Sequence, residues 1–305
     1  MKKFLLLAFI PLFLFSCHEG KKPGKEVPPT APATVIQPDA TTPATAVTEA
    51  KQPIDTFVRD TTAPLGTPQN PLVVEPGKPL DLSALFNNRE KRSLGERLAS
   101  NIDSISEGAK KGDINLMFYY GVCFEQGWGV KQDYKQAFEW YEKASKHGQK
   151  YAYGALGGLY RTGHGTSVDA KKSFDCFLKG AEQQDENSML CVGNCYYTGF
   201  GVEKNLEQAA QWWKKAADLD NGFALSQMGD AYYGGLGIEK DLDKAVEYYK
   251  KAVEKNIPNA QYRLGVLSFY GEGVEKDETY AKLLLTKARN NNVPQADEFL
   301  VKHFE

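Results

Sequence analysis

Residues able to do chemistry are sparse in this 305-residue chain, and their spacing argues against most of what they could do. The four histidines, His18, His147, His164 and His303, are scattered too widely for a multi-histidine metal site. The dense signal is Gly-x-Gly, at Gly127/Gly129, Gly163/Gly165, Gly199/Gly201, Gly235/Gly237 and Gly271/Gly273. A glycine loop can cradle a phosphate, but a dinucleotide loop follows a strand and carries a third glycine before its helix. These loops follow helical patterns and recur five times, so they read as turns. No Gly-x-Ser-x-Gly elbow, His-Glu-x-x-His or phosphate-loop motif occurs. We therefore expect no catalytic residues, no metal and no cofactor. With 37 Lys+Arg against 39 Asp+Glu, a net charge of -2 also speaks against a nucleic-acid partner.

The elements that must position these residues repeat every 36 positions. Gly121, Gly157, Gly193, Gly229 and Gly265 share one phase, six residues before each Gly-x-Gly. Val130, Thr166, Val202, Ile238 and Val274 follow the loops, and then Asp133, Asp169, Asn205, Asp241 and Asp277. Next come the pairs Trp140-Tyr141, Cys176-Phe177, Trp212-Trp213, Tyr248-Tyr249 and Leu284-Leu285. Apolar residues at helical spacing, such as Met117, Tyr120 and Phe124, mark a first helix A in each unit. The Gly-x-Gly turn supplies positive φ, and the Asp or Asn caps a second helix B. Gln136 and Gln208, three residues beyond their caps, suggest capping boxes. One 36-residue pair cannot bury its own apolar face, so the units must stack into a solenoid. Leu94, Leu98, Ile102, Ile105 and Ala109 predict a helical N-terminal cap over 89–111, and Val293-Pro294 opens a C-terminal one. The expectation is an all-α solenoid of five antiparallel helix pairs, with repeats at 113–148, 149–184, 185–220, 221–256 and 257–292.

Residues 81–305 form this body, and the first 80 are of another kind. Lys2 and Lys3 precede an apolar run from Phe4 to Phe15, too short for a membrane span, which reads as a signal peptide over 1–16. Leu14-Phe15-Ser16-Cys17 is similar to a bacterial lipobox, which makes Cys17 the expected lipidation site. The expected location is the cell envelope, lipid-anchored to a membrane and either periplasmic or surface-exposed, because several acyl chains anchor stably. Between residues 18 and 80 stand 12 prolines and 10 threonines but one aromatic, Phe57. That composition predicts a disordered tether over 17–80 with a reach of roughly 45 Å, or a threonine-rich stalk carrying sugars.

Four cysteines remain. Cys176 on helix B of the second repeat should pack against helix A of the third, which carries Cys191 and Cys195. A disulfide from Cys176 to either one is possible in an oxidising compartment; the alternative is that these and Cys123 are small buried apolar side chains.

The pattern Leu264-Gly265, Gly271-x-Gly273-Val274, Asp277 and Lys287-Ala288, with its copies, resembles the SEL-one-like repeat (SLR), a subclass of the tetratricopeptide-repeat superfamily. The resemblance covers about residues 109–300; the second copy departs most, with Thr166, Ser173 and Cys176. It implies a right-handed superhelix with the A helices on the concave face, and an adaptor role towards a protein or peptide. Stepping by 36 from positions 115, 118, 122 and 125 gives the expected concave rows. From these, Tyr151, Arg161, Asn194, Tyr197, Phe223, Asp230, Tyr233 and Tyr262 are the candidate partner-binding residues, centred on Arg161, Tyr197 and Tyr233 with Asn194 and Asp230. Aromatics and asparagines suit such a groove through rigid contact area and adaptable hydrogen bonding. The alternative is an envelope protein that binds or hydrolyses cell-wall fragments or β-lactams, as the resemblance to cysteine-rich exported SLR proteins suggests. The regular cysteine pairs of those proteins are missing, which weakens it.

Overall fold

The structure, a computed structural model, describes residues 94–304. The expected signal segment, the expected lipidation site Cys17, the expected tether and residues 81–93 of the expected body lie outside the described residues. Thirteen helices and no strand are found among the described residues. Two short ones, α1 (Leu94–Ser100) and α2 (Ile102–Lys110), precede the repeats. Five pairs follow: α3 (Ile114–Gln126) with α4 (Tyr134–Lys146), α5 (Lys150–Thr162) with α6 (Ala170–Glu182), and α7 (Glu186–Thr198) with α8 (Leu206–Asp218). The last two are α9 (Gly222–Gly234) with α10 (Leu242–Glu254), and α11 (Pro258–Tyr270) with α12 (Glu278–Asn290). Helix α13 (Pro294–Phe304) closes the array. Every paired helix has 13 residues, so the 36-residue phase is kept without an insertion.

The local chemistry explains the phase. Each A helix ends on a glycine in the left-handed region, Gly127, Gly163, Gly199, Gly235 or Gly271, where φ lies between 68° and 77°. That is the conformation only glycine adopts at no steric cost. Asp133, Asp169, Asn205, Asp241 and Asp277 cap the B helices, each accepting from a backbone N–H at the helix start. The capping boxes expected at Gln136 and Gln208 do not close. Their amides turn forward to Glu139 and Gln211, because the N–H of Asp133 and Asn205 is already spent on the carbonyl of Phe124 or Tyr196 in the A helix. The same backbone bond ties the other three turns, from Asp169 to Tyr160, Asp241 to Tyr232 and Asp277 to Ser268.

The glycine inside each A helix is a slot. An added Cβ at Gly121 would stand 2.6 Å from the Tyr141 ring, and Gly157, Gly193 and Gly229 hold Phe177, Trp213 and Tyr249 in the same way. These B-helix residues are fully buried or nearly so, at the centre of each pair. Each B helix packs on its own A helix and on the A helix that follows. Successive A helices also touch, α5 with α7 and α9 with α11.

The single N-terminal helix expected over 89–111 is two helices within the described residues. It breaks at Asn101, whose side-chain amide donates to the Arg97 carbonyl at 2.8 Å. Leu98, Ile105 and Ala109 are buried against the first repeat nonetheless. Helix α13 buries Ala296 and Leu300 on the last repeat and leaves Val301 exposed.

Candidate functional site

The A helices carry the residues that face away from their own B helices, and their starting turns set how one repeat addresses the next. Asp113, Gln149, Asp185 and Asn221 cap α3, α5, α7 and α9. The amide-bearing caps do a second job. Gln149 Nε2 donates to Asn115 Oδ1 at 3.5 Å, and Asn221 Nδ2 donates to Asn187 Oδ1 at 2.9 Å, each bond linking one repeat to its predecessor. Asp185 has no such proton to give, and the residue that precedes it by 34 positions is Tyr151, not an asparagine. The row Asn115, Tyr151, Asn187, Phe223, Asn259 thus alternates with the chemistry of the next cap. Sequence inspection missed these caps because their identity changes from repeat to repeat.

Asp185 is buried, with Oδ2 accepting from the Ser188 N–H at 3.1 Å and from the Ser188 hydroxyl. Its Oδ1 has no hydrogen-bond partner among the described residues. Burial pushes its pKa up to about 6, against the pull of the Ser188 hydrogen bonds.

The next two rows are partly claimed by the core. Phe118, Leu190, Ser226 and Val122 are buried between neighbouring helices rather than open to a ligand. Gly154 is a close-approach position, where a Cβ would meet the Ser188 hydroxyl at 2.9 Å. The reason is geometric: these rows point to the following A helix, which touches its neighbour on this side.

Asn194 and Asp230 are tied to the B helices behind them. Trp213 Nε1 donates to Asn194 Oδ1 at 2.9 Å, and the Tyr249 hydroxyl donates to Asp230 Oδ1 at 2.7 Å. In the first repeat the Tyr141 hydroxyl finds Glu125 Oε2 at 2.6 Å. Phe177 and Leu285 have nothing to donate, and Gly158 and Val266 stand where the acceptors would be. Asp230 also pairs with Arg263 Nε at 3.0 Å. Both residues are half-buried and remain on the A-helix face.

What is open on this face is the last row. Tyr197 is 37% exposed, its ring tilted against Trp213 at 5.5 Å between centroids. Tyr233 and Arg161 are half-buried, as are Tyr151, Phe223 and Tyr262. Arg161 reaches the neighbourhood of the Cys195 thiol on α7, and burial lowers its pKa. Phe269 at the end of the row is covered by α13, with Phe299, His303 and Phe304 at 5.0–5.4 Å. The structure adds a feature the sequence reading passed over: Lys204, Lys240 and Lys276 stand 5.7–5.9 Å from the ring centroids of Tyr197, Tyr233 and Phe269. Their common phase, in the segments Gly-Val-Glu-Lys and Gly-Ile-Glu-Lys, was the available signal.

The bridge considered for Cys176 is not formed, since Cys176 and Cys195 carry free thiols. Cys176 turns back towards the core of the first two repeats, whereas Cys191 and Cys195 belong to the core of the later ones. Burial pushes Cys123 and Cys195 up to about 12 and Cys176 up to about 11, so all three are held as neutral thiols at neutral pH. Among the described residues no three His, Cys, Asp or Glu side chains gather as metal ligands, and no helix is long and apolar enough to cross a membrane.

Comparison with known proteins decides the family. The Sel1 repeat matches five times, at residues 115–149, 150–185, 188–221, 222–257 and 258–293. The chain belongs to the Sel1-repeat family. Among solved structures, a Sel1 repeat protein from Oxalobacter formigenes is 32% identical, with a TM-score of 0.63 over 67% of this chain and 84% of that one. A protective antigen present in uropathogenic Escherichia coli strains, displaying an SLR fold, is 28% identical with a TM-score of 0.59, over 71% of this chain and 50% of that one. No curated protein matches the chain. Sel1-repeat proteins are in general scaffolds for protein–protein interaction, and typically not enzymes. Each Sel1 unit in this chain is one A–B pair, so the face just described belongs to the repeat array as a whole.

Proposed function

We propose that this Sel1-repeat protein is a membrane-anchored scaffold or adaptor of the cell envelope that holds a protein or peptide on its A-helix face. The observation that carries the reading is the row Arg161, Tyr197, Tyr233, in which Tyr197 is exposed and the other two are half-buried, flanked by the half-buried rings of Tyr151, Phe223 and Tyr262. Rings of this kind give contact area with little rotamer entropy to lose, which is why tyrosine is enriched in interface centres. Asn194 and Asp230 each spend Oδ1 on two donors, Trp213 and Gln227 for the one and Tyr249 and Arg263 for the other, which leaves Asn194 Nδ2 and Asp230 Oδ2 to meet a ligand. The anchor rests on Leu14-Phe15-Ser16-Cys17 and the short apolar run before it.

Crosslinking in intact cells tests the face. Replacing Tyr197 and Tyr233 together with Ala, with helix content checked by circular dichroism, is expected to cut recovery of the crosslinked partner at least tenfold. Undiminished recovery from a folded variant would sink the assignment. For the anchor, Cys17→Ser is expected to move the protein from the membrane fraction to the soluble one, and continued sedimentation with membranes would show the anchor to lie elsewhere.

A further inference from the structure

The cations of the A-helix face are not balanced within the fold. Arg263 pairs with Asp230, and Lys276 with Glu278 at 2.8 Å. Glu125 is taken by Tyr141. Arg161, Lys204 and Lys240 have no ion pair and no hydrogen bond among the described residues. They are not scattered. Arg161 and the two rings under the lysines, Tyr197 and Tyr233, occupy the same position in three consecutive repeats. Glu203 and Glu239 precede the lysines in the chain, but Glu239 lies within electrostatic reach of Lys244 on α10 and neither pairs with its neighbour. A half-buried guanidinium without a counter-charge loses hydration and gains nothing in return. The pattern is that of cations awaiting an anion.

Deepening the proposed binding face, and resting on it, we infer that its occupant is an extended acidic segment of a partner protein, with carboxylates about three residues apart seated on Arg161, Lys204 and Lys240. The spacing follows from two periods. Lys204 and Lys240 hold one position in adjacent repeats, with Arg161 on the A helix of the repeat before, and stacked helix pairs recur at an interval on the order of 10 Å. A polyproline II chain advances about 3.1 Å per residue with three residues per turn, which returns one side of the chain to the same face every 9 Å or so. A carboxylate at every third position therefore meets one cation per repeat, and the residues between lie on Tyr197 and Tyr233. Aromatic-lined grooves take proline-rich segments in this manner.

Fluorescence anisotropy on the full chain tests this with a labelled (Asp-Pro-Pro)4 peptide and its (Asn-Pro-Pro)4 counterpart. The Asp peptide is expected to bind at least tenfold more tightly than the Asn peptide, and to weaken at least tenfold between 0.05 and 0.5 M salt as screening takes hold. The triple variant Arg161→Gln, Lys204→Gln, Lys240→Gln should lose at least tenfold for the Asp peptide and little for the Asn peptide. Failure of the Asp peptide to bind, equal affinity for the two peptides, or an unaffected triple variant overturns the carboxylate assignment. Displacement by inorganic polyphosphate as effective as by unlabelled peptide overturns it too, in favour of a general polyanion site. The two readings separate cleanly. Loss of the cellular partner in the Tyr197→Ala, Tyr233→Ala variant, with no selectivity for the Asp peptide, leaves the face standing and removes its charge code. Binding of the Asp peptide that ignores the tyrosine substitutions removes the face itself.

Discussion

At each B-helix centre that carries a polar ring, the proton of that ring decides what stands on the opposite A helix. Tyr141, Trp213 and Tyr249 have acceptors in Glu125, Asn194 and Asp230; Phe177 and Leu285 have none and need none. Asn194→Ala is therefore expected to cost about 1–3 kcal/mol, the usual penalty for stranding a buried donor. Trp213→Phe should remove most of that penalty. Urea denaturation of the four chains of this double-mutant cycle measures the coupling, and additive losses would mean the bond contributes nothing. Asp185 makes a second prediction at this scale. Its pKa is raised to about 6 in the fold, above the ordinary aspartate value of 3.8. Between about pH 4 and 6 the folded chain holds a proton there that the unfolded chain has released, whereas at neutral pH both are ionised, so this contribution is full below about pH 4 and is lost as pH rises through 6. Two units correspond to about 3 kcal/mol as an upper bound. The urea midpoint of Asp185→Asn, compared with the parent from pH 4 to 7, should lack that falling component; parallel profiles would show that Asp185 does not supply it.

Helices A and B meet through one glycine slot per pair, and the occupant sets how strictly glycine is needed. At Gly121 a methyl group would enter the rigid Tyr141 ring at 2.6 Å, whereas at Gly265 it would meet the branched tip of Leu285 at 2.9 Å. Gly121→Ala is expected to lower stability by about 1–3 kcal/mol through overpacking. Gly265→Ala should cost clearly less, because Leu285 can change rotamer and alanine recovers up to about 1 kcal/mol of helix propensity. Thermal melts of the two variants check the order, and equal losses would contradict the slot as its cause. Much at this scale was legible in the sequence: the Asp or Asn caps of the B helices, the left-handed Gly and the aromatic pair all stand where their periodicity put them. The A-helix caps were not, since Asp113, Gln149, Asp185, Asn221 and Ile257 share a position and not a chemistry. The left-handed ends of the B helices were missed for a similar reason. Gln184, Asp220, Asn256 and Asn292 occupy the place that Gly148 takes in the first repeat, and all have positive φ.

Across the whole array the cap-to-asparagine bonds impose a two-repeat alternation on a one-repeat period. Asn115 meets Gln149, and Asn187 meets Asn221, while Asp185 follows Tyr151 without a bond. Solenoids add stability by nearest-neighbour interfaces, so whole units can be removed in register. Deleting residues 185–220 would set the Asn221 amide against Tyr151, where no acceptor stands; deleting 149–220 would set it against Asn115 and remake the bond. Both chains are expected to keep their helix content per residue, with a denaturant slope that falls as units are lost. Tyr151→Asn should then raise the urea midpoint of the 185–220 deletion by the worth of about one hydrogen bond, about 1 kcal/mol, and Tyr151→Ala should not. An equal effect of the two substitutions would dismiss the alternation as incidental.

The sequence by itself determined the repeat, its phase, the turn from each A helix to its B helix and the family, because these follow from local rules: glycine at positive φ, a capping side chain, an apolar period that one unit cannot bury alone. It also named Tyr197 and Tyr233 as candidates for the A-helix face; Tyr197 is exposed there and Tyr233 half-buried. Only the tertiary structure decided how the polar residues are spent. Asn194 and Asp230 serve buried donors nineteen residues further along the chain, Phe118 and Leu190 belong to the seams between repeats, and Cys176 faces away from Cys195. A side chain's partners depend on the direction in which its helix is turned against the next, and a 36-residue period fixes which positions are equivalent without saying what they touch.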